Sequence, residues 1–227
     1  MATKRASRRP IRESPFWRKY EASRYAILFY VLLLTLVVLP IATTIGLPSL
    51  LIKLLIGACL CSAVMPNATK RTRVTLLVSV LLLILAGFVS ESDAVPLNAA
   101  LLVALGGFVG LFAAAKSLQF VISSRTVNGE TIYAALSTYL LAGIFFGEIY
   151  WAAERLSPGS LVGPDPTDEA TALYYSFVTL ASLGYGDFVA RNDIVRGLAV
   201  LEVVGGQLFI AVMVARLIAM FVPKERK

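Results

Sequence analysis

Hydrophobic residues form long runs along this chain, and short polar segments separate them. Five runs come close to the length, about 20 residues, that a helix needs to cross the hydrocarbon core of a bilayer. A sixth run is long enough to cross with a tilt. The runs cover residues 25–45, 47–65, 74–89, 95–121, 132–153 and 194–222. This pattern predicts an all-α integral membrane protein with six transmembrane helices.

A shorter apolar run, Ala170 to Ala181, lies between the last two spans and is too short to cross the bilayer. It must therefore enter the membrane and return on the same side. The preceding residues have the features of a helix start, with Asp165 as the cap, Pro166 in the first turn and acids near the positive end of the helix dipole. We expect a re-entrant helix over residues 166–181.

The distribution of charge predicts the orientation of the spans, because cytoplasmic loops carry an excess of Lys and Arg. Basic residues cluster before the first span, after the second, after the fourth and at the carboxyl end: Lys4, Arg5, Arg8, Arg9, Arg12, Arg18, Lys19, Arg24, Lys70, Arg71, Arg73, Lys116, Arg125, Lys224, Arg226 and Lys227. Acids occupy the opposite side: Glu91, Asp93, Glu154, Asp165, Asp168 and Glu169. We expect both termini in the cytoplasm of a cell (inner or plasma) membrane and a re-entrant helix that enters from outside.

Composition narrows the function classes further. The chain is 58% hydrophobic with a mean hydropathy of +0.78, more than a soluble core requires. It carries a net charge of +7, and the excess lies in the tail 1–24, where Phe16, Trp17 and Tyr20 are interleaved. This arrangement favours anionic lipid headgroups over nucleic acid as the partner of the tail. With no His and only Cys59 and Cys61, no cofactor is expected, and no motif of nucleophile and base predicts an enzyme.

A glycine-rich strand, Ser182-Leu183-Gly184-Tyr185-Gly186-Asp187, follows the re-entrant helix. Extended backbone at membrane depth is tolerated only where it is buried in protein or lines an aqueous cavity. Successive carbonyls can point to one axis if left- and right-handed residues alternate, and Gly184 and Gly186 tolerate the left-handed conformation. Such carbonyl rings, with the Ser182 hydroxyl at the inner end, can replace the hydration shell of a monovalent cation. The alternative is a glycine-rich outer turn without an ion.

Residues Leu173 to Asp187 resemble the pore helix and signature filter of potassium channels. The resemblance implies a homotetramer that conducts K⁺ passively. It assigns the ion sites to the carbonyls of the filter, and these K⁺ ligands are Ser182, Leu183, Gly184, Tyr185 and Gly186. It also implies a pore domain over residues 126–227, with an outer helix (132–153), a pore helix (166–181), the filter (182–187) and an inner helix (194–222).

The resemblance implies roles for residues around the filter. Tyr174 and Tyr175 form part of an aromatic cuff, Thr179 supports the filter, and the Tyr174 hydroxyl reaches Asp187. The sequence departs from the family at two positions, with Ser182 in place of the usual Thr and Leu183 in place of Val or Ile. Because Leu183 lacks a β-branched side chain that stiffens a strand, selectivity for K⁺ is expected to be less strict. A weakly selective cation channel therefore stays open as an alternative.

The sixth span carries three candidates for gating: Gly205, Gly206 and Glu202. Asn192 or Asp193 is expected to cap this helix. Gly206 falls where the resembling channels often have a hinge glycine, and the alternative is close packing against the outer helix. An acid at membrane depth needs a partner, so Glu202 or Glu148 is expected to brace the back of the filter, as an outer-end Glu of the fifth helix does in voltage-gated relatives. A place in the ion path or a role as proton sensor is the alternative.

The first four spans, residues 25–125, are predicted to form a peripheral four-helix unit. A voltage-sensing helix needs several spaced positive charges, and the fourth span contains only Lys116. We therefore expect no strong voltage gating by this helix. The rival function is a secondary transporter, which usually has paired broken helices, but residues 25–121 contain no second glycine-interrupted loop.

Overall fold

The computed structural model describes residues 15–45 and 129–221, together with scattered helical positions between them. These positions are 74, 78, 81, 101, 103–108, 110–112, 114, 115 and 118. The described residues leave out the predicted span 47–65, most of the span 74–89 and much of the span 95–121. Most of the basic tail, Lys116 and Val222 also lie outside them.

Four helices and two short strands follow one another along the described chain. They are α1 (Pro15–Ile45), α2 (Gly129–Leu156), β1 (Leu161–Val162), α3 (Glu169–Leu180), β2 (Val189–Ala190) and α4 (Asp193–Phe221). Three of the helices contain windows long and apolar enough to cross a membrane, namely Ser23–Ile41, Gly129–Leu156 and Asp193–Arg216. These windows correspond to the first, fifth and sixth predicted spans.

The short helix α3 packs closely against α2 through two glycines one turn apart. A methyl group at Gly147 would lie 2.9 Å from the Leu173 Cα atom, and one at Gly143 would lie 2.5 Å from the Phe177 ring. The Ser176 hydroxyl also donates to the Gly143 carbonyl oxygen at 2.7 Å. Small residues let helix backbones approach in this way, so α3 is held directly against α2.

The first helix lies along the other side of α2. Tyr25, Leu28 and Leu32 are buried in the same apolar cluster as Leu141 and Phe145 of α2. The hydroxyl oxygens of Tyr30 and Tyr133 are 3.3 Å apart at the edge of this contact. The first span is therefore packed directly against the predicted outer helix.

The two long helices of the carboxyl half differ in the fraction of their residues that are buried. In the apolar window of α2, 72% of the residues are buried, against 11% in the window of α4. Val200, Leu201, Val204 and Leu208 of α4 each expose half or more of their surface. A face of this size requires lipid or further protein to cover it.

The helix that enters the membrane begins later than the sequence predicts. It starts at Glu169 and not at Pro166, and its cap is Asp168, whose side chain accepts a hydrogen bond of 2.7 Å from the Thr171 amide. Just before it, the Thr167 hydroxyl donates to the Leu161 carbonyl at 3.3 Å. This contact keeps Asp165 and Pro166 in the outer loop, so the second of two suitable acids becomes the cap.

A small set of contacts joins the outer ends of α2 and α4. Strands β1 and β2 pair antiparallel, with Leu161 opposite Ala190 and Val162 opposite Val189. The Asn192 amide group donates to the Ser160 hydroxyl at 2.6 Å, while its carbonyl oxygen accepts from the Val195 amide at 2.8 Å. Asn192 is therefore the cap of α4, one of the two predicted residues, and it also fastens α4 to the loop after α2.

Candidate functional site

The strand 182–187 leaves the carboxyl end of α3 without a break. The amide of Ser182 donates to the Thr179 carbonyl at 2.9 Å, and the amide of Leu183 donates to the Val178 carbonyl at 2.8 Å. The start of the strand is therefore held by the last turn of α3. Thr179, a predicted support of this strand, contributes through its backbone carbonyl.

The backbone of the strand alternates between two conformations. Ser182, Gly184 and Gly186 have positive φ angles of 57°, 57° and 78°, and Leu183 and Tyr185 between them do not. This alternation is the arrangement that allows successive carbonyls to face one side. Ser182 was not expected to adopt it, because a left-handed residue other than glycine costs about 1–2 kcal/mol. Such strain is found where the surrounding structure imposes it, often at functional sites.

One side of the strand is open within a single chain. The Leu183 side chain is 57% exposed and that of Tyr185 is 67% exposed. Apart from the adjoining residues of the strand, no atom of the described residues lies within 4 Å of the position that a Cβ atom would take at Gly184 or Gly186. Among the described residues, the strand is therefore supported by α3 from behind, and its other side is open.

Two aromatic residues of α3 lie on different sides of that helix. The Tyr174 hydroxyl donates to the Asp187 carboxylate at 2.7 Å, which connects α3 to the end of the strand. Tyr175 is buried and faces α2, where its ring meets that of Tyr150 edge to face at 4.9 Å. The first contact holds the outer end of the strand, and the second anchors α3.

An acid of α4 reaches behind α3. Glu202 is completely buried, and its carboxyl group contacts the Tyr150 hydroxyl of α2 at 2.7 Å and the Ser176 hydroxyl of α3 at 2.5 Å. Three helices therefore meet at one carboxyl group. The sequence could not identify Tyr150 and Ser176 as the partners of Glu202, because each is one of several hydroxyl-bearing residues within apolar runs.

A profile of a protein family described as "Ion channel" matches residues 134–222. This segment of the chain is therefore similar to an ion channel family. The channel segment contains most of α2, all of α3 and α4, and the alternating strand between them. Searches of curated proteins and of solved structures found no match. With its mostly helical structure and three apolar spans, the chain fits an all-α membrane channel.

The two glycines of the inner helix have different surroundings in the channel segment. A methyl group at Gly206 would lie 2.5 Å from the Leu180 carbonyl oxygen, whereas one at Gly205 would meet nothing within 4 Å. The sequence offered close packing against the outer helix as an alternative to a hinge. The close contact of Gly206 is instead with α3, because the end of α3 lies between α4 and α2.

The acid at the outer end of α2 is Glu154. Its carboxylate accepts hydrogen bonds from the amides of Gly159 at 2.7 Å and Leu161 at 2.9 Å. It therefore fixes the outer loop of the channel segment. The sequence pointed to Glu154 only as an external charge, although its place one turn before a Pro-Gly turn is a usable signal for such a bond. Glu148 is buried on α2, deeper in the segment.

The contact between Tyr174 and Asp187 predicts that the thermal stability of the protein depends on pH. The Tyr174 hydroxyl bond holds the pKa of Asp187 below its usual range. When the pKa of a carboxyl group is lower in the folded protein than in the unfolded chain, the group stabilises the fold at pH values above its unfolded pKa. This stabilisation is lost as the pH falls through the pKa of the folded protein. Replacing Tyr174 with Phe is therefore expected to lower the thermal unfolding temperature at neutral pH. In strong acid, the unfolding temperatures of Tyr174→Phe and the parent protein should become equal.

Thermal unfolding of the purified protein across a pH series measures this effect. Tyr30→Phe is a matched control, since it removes a tyrosine hydroxyl that contacts only Tyr133 among the described residues. A difference between Tyr174→Phe and the parent that is constant from neutral to acidic pH would contradict the assignment.

Proposed function

We propose that this chain is one subunit of a homotetrameric, potassium-selective channel that conducts K⁺ passively. The observation that carries the proposal is the alternation of φ at Ser182, Gly184 and Gly186, at the end of a short helix inside an ion channel segment. The backbone carbonyls of residues 182–185 then form stacked rings that replace the hydration shell of K⁺.

The electrostatics of the site support a cation. Helix α3 ends at Leu180, directly before the strand, and the carboxyl end of a helix carries partial negative charge. The Ser182 hydroxyl offers a further oxygen at the inner end of the strand. Asp187, whose pKa is lowered by the hydrogen bond from Tyr174, stands at the outer end.

The open surfaces of the chain support a ring of four copies. A single strand offers carbonyls from one side only, so an ion can be enclosed only when several copies surround an axis. The exposed side chains of Leu183 and Tyr185 and the uncovered face of α4 are then the surfaces that neighbouring copies and lipid would cover. In this arrangement α4 lines the pore below the filter.

The membrane arrangement completes the proposal. Both termini lie in the cytoplasm, and the basic tail 1–24 contacts anionic lipid headgroups. The strand then faces the outside, where the exposed acids Asp165, Asp168 and Asp193 line the approach to the pore. A weakly selective cation channel is the second candidate, and the absence of a β-branched residue at Leu183 favours it.

Ion flux in liposomes tests the proposal. The purified protein is reconstituted with K⁺ inside and Na⁺ outside, and the reversal potential is measured. We expect a reversal potential near the K⁺ equilibrium potential without any second solute. A value near zero under opposed gradients would indicate the weakly selective channel, and a flux that requires a co-transported solute would reject a channel of either kind.

A further inference from the structure

Five oxygen atoms from three helices form a chain of short contacts behind the strand. The Tyr150 hydroxyl lies 2.7 Å from Glu202 Oε2, and the Ser176 hydroxyl lies 2.5 Å from Glu202 Oε1. The same Ser176 hydroxyl lies 2.7 Å from the Gly143 carbonyl oxygen. All three side chains are buried, with Ser176, Tyr150 and Glu202 each 0% exposed.

Each of these three contacts needs its own hydrogen atom, because oxygens at such distances repel each other without one. The Tyr150 hydroxyl supplies one hydrogen and the Ser176 hydroxyl supplies a second. The Gly143 carbonyl can only accept. With an ionised Glu202, the single Ser176 hydrogen would have to serve both Glu202 and Gly143, and one contact would be left without a hydrogen.

We infer that Glu202 is a neutral carboxylic acid that donates from Oε1 to the Ser176 hydroxyl. Ser176 then donates to the Gly143 carbonyl, and Tyr150 donates to Glu202 Oε2. Each hydrogen is used once and every buried oxygen has a partner. The assignment follows from the positions of the oxygen atoms and from the number of hydrogens that their groups carry.

The surroundings of Glu202 agree with a neutral acid. The titratable side chains that face it, among the described residues, are Tyr139 and Tyr150 on α2 and Tyr175 on α3. None of them supplies a positive charge. Glu202 also lines a cavity of about 200 Å³. The described residues before α2 that line this cavity are apolar: Leu111, Ala114, Ala115 and Leu118. A buried carboxylate without a cation would be costly here.

The protonated acid makes Glu202 a positioning residue for the filter. Helix α4 contacts α3 at two levels one turn apart, Glu202 with Ser176 and Gly206 with Leu180. Two contacts fix both the depth and the rotation of α3, and α3 in turn holds the first amides of the strand. This consequence for ion binding rests on the proposed function, whereas the protonation of Glu202 does not.

Infrared spectroscopy of the purified full chain tests the protonation directly. At neutral pH, exposed acids are ionised, so a C=O stretching band of a protonated carboxylic acid is expected from Glu202. The band should disappear in Glu202→Gln, and in the parent protein it should shift when glutamate is labelled with ¹³C. Absence of any such band in the parent protein would overturn the inference, whether or not the variant folds.

Variants separate the positioning role from a general structural one. In Glu202→Gln the amide nitrogen donates to Ser176 and the amide oxygen accepts from Tyr150, so K⁺ affinity by calorimetry should stay within about twofold. Ser176→Ala breaks the chain of contacts and should weaken K⁺ binding by on the order of tenfold, the effect of one or two buried hydrogen bonds. A large loss of affinity in Glu202→Gln would show that Glu202 acts as a carboxylate.

A pH series completes the test. At alkaline pH the parent protein is expected to lose K⁺ affinity as Glu202 ionises, and Glu202→Gln should keep its affinity over the same range. An equal loss in both proteins would contradict the positioning role. If the parent protein carries no K⁺ flux and still has the infrared band, the proposed function fails while the protonation of Glu202 stands.

Discussion

Replacement of Gly184 by alanine is expected to abolish K⁺ conduction and to leave membrane insertion and assembly intact. Gly184 has a φ of 57°, which a residue with a Cβ atom adopts only at a cost of about 1–2 kcal/mol. Alanine relieves this strain by rotating the peptide plane, and a carbonyl then turns away from the ion. Because the substitution acts in every copy, the whole ring of carbonyls is lost.

Gly159→Ala provides a matched control for this variant. Gly159 also has a positive φ, 83°, and a methyl group there would also meet nothing within 4 Å. It lies in the outer loop and not in the strand, so the same backbone strain should leave flux unchanged. Normal flux from Gly184→Ala, or an equal loss in both variants, would contradict the assignment of the strand as the ion path.

Gly206→Ala is expected to have the second large effect, on both assembly and flux. The new methyl group would lie 2.5 Å from the Leu180 carbonyl oxygen, and a backbone atom cannot rotate away as a side chain can. Helix α4 must shift from α3, at a cost of about 1–3 kcal/mol typical of an overpacked core. The shift also pulls Glu202 from Ser176, so the support of the filter is weakened.

Gly205→Ala is the control at the neighbouring position. A methyl group there meets nothing within 4 Å, and alanine in place of glycine stabilises a helix interior by about 1 kcal/mol. Thermal dissociation of the assembly and liposome flux should therefore change little or improve. If Gly205→Ala impairs flux and Gly206→Ala does not, bending of α4 and not close packing is the role of these glycines.

The two long helices of the carboxyl half could be predicted well from the sequence because bilayer thickness sets the length of an apolar run. The first helix begins at Pro15, ahead of the predicted start at residue 25, because it continues into the basic tail. The predicted outer helix 132–153 appears as Gly129–Leu156, and the predicted inner helix 194–222 appears as Asp193–Phe221. Both helices extend or shift by only a few residues, where polar residues continue the helix beyond the hydrocarbon. The contact between Tyr174 and Asp187 was also expected, because the resemblance places these two residues together.

Features that depend on contacts between elements could not be predicted in the same way. Asp168 and not Asp165 is the cap of α3, and the bond from Thr167 to Leu161 that precedes it joins residues of the outer loop. The positive φ of Ser182 has no signal in its residue type, since the last turn of α3 imposes it. The partners of Glu202 come from two other helices, 26 and 52 residues away.

The fastening of α4 at its outer end limits where this helix can move. Asn192 and β2 tie it to the loop after α2, and Glu202 and Gly206 hold its middle against α3. The portion from Gln207 to Phe221 is about 22 Å long at 1.5 Å per residue. Apolar contacts join it to the other helices: the ring of Phe209 lies 5.7 Å from that of Tyr139, and Met213 packs against the apolar cluster of α1 and α2. A bend of α4 would pivot near Gly206, where the helix makes its close contact with the end of α3. A deflection of about 15° would carry its tip roughly 6 Å, by the same helix geometry.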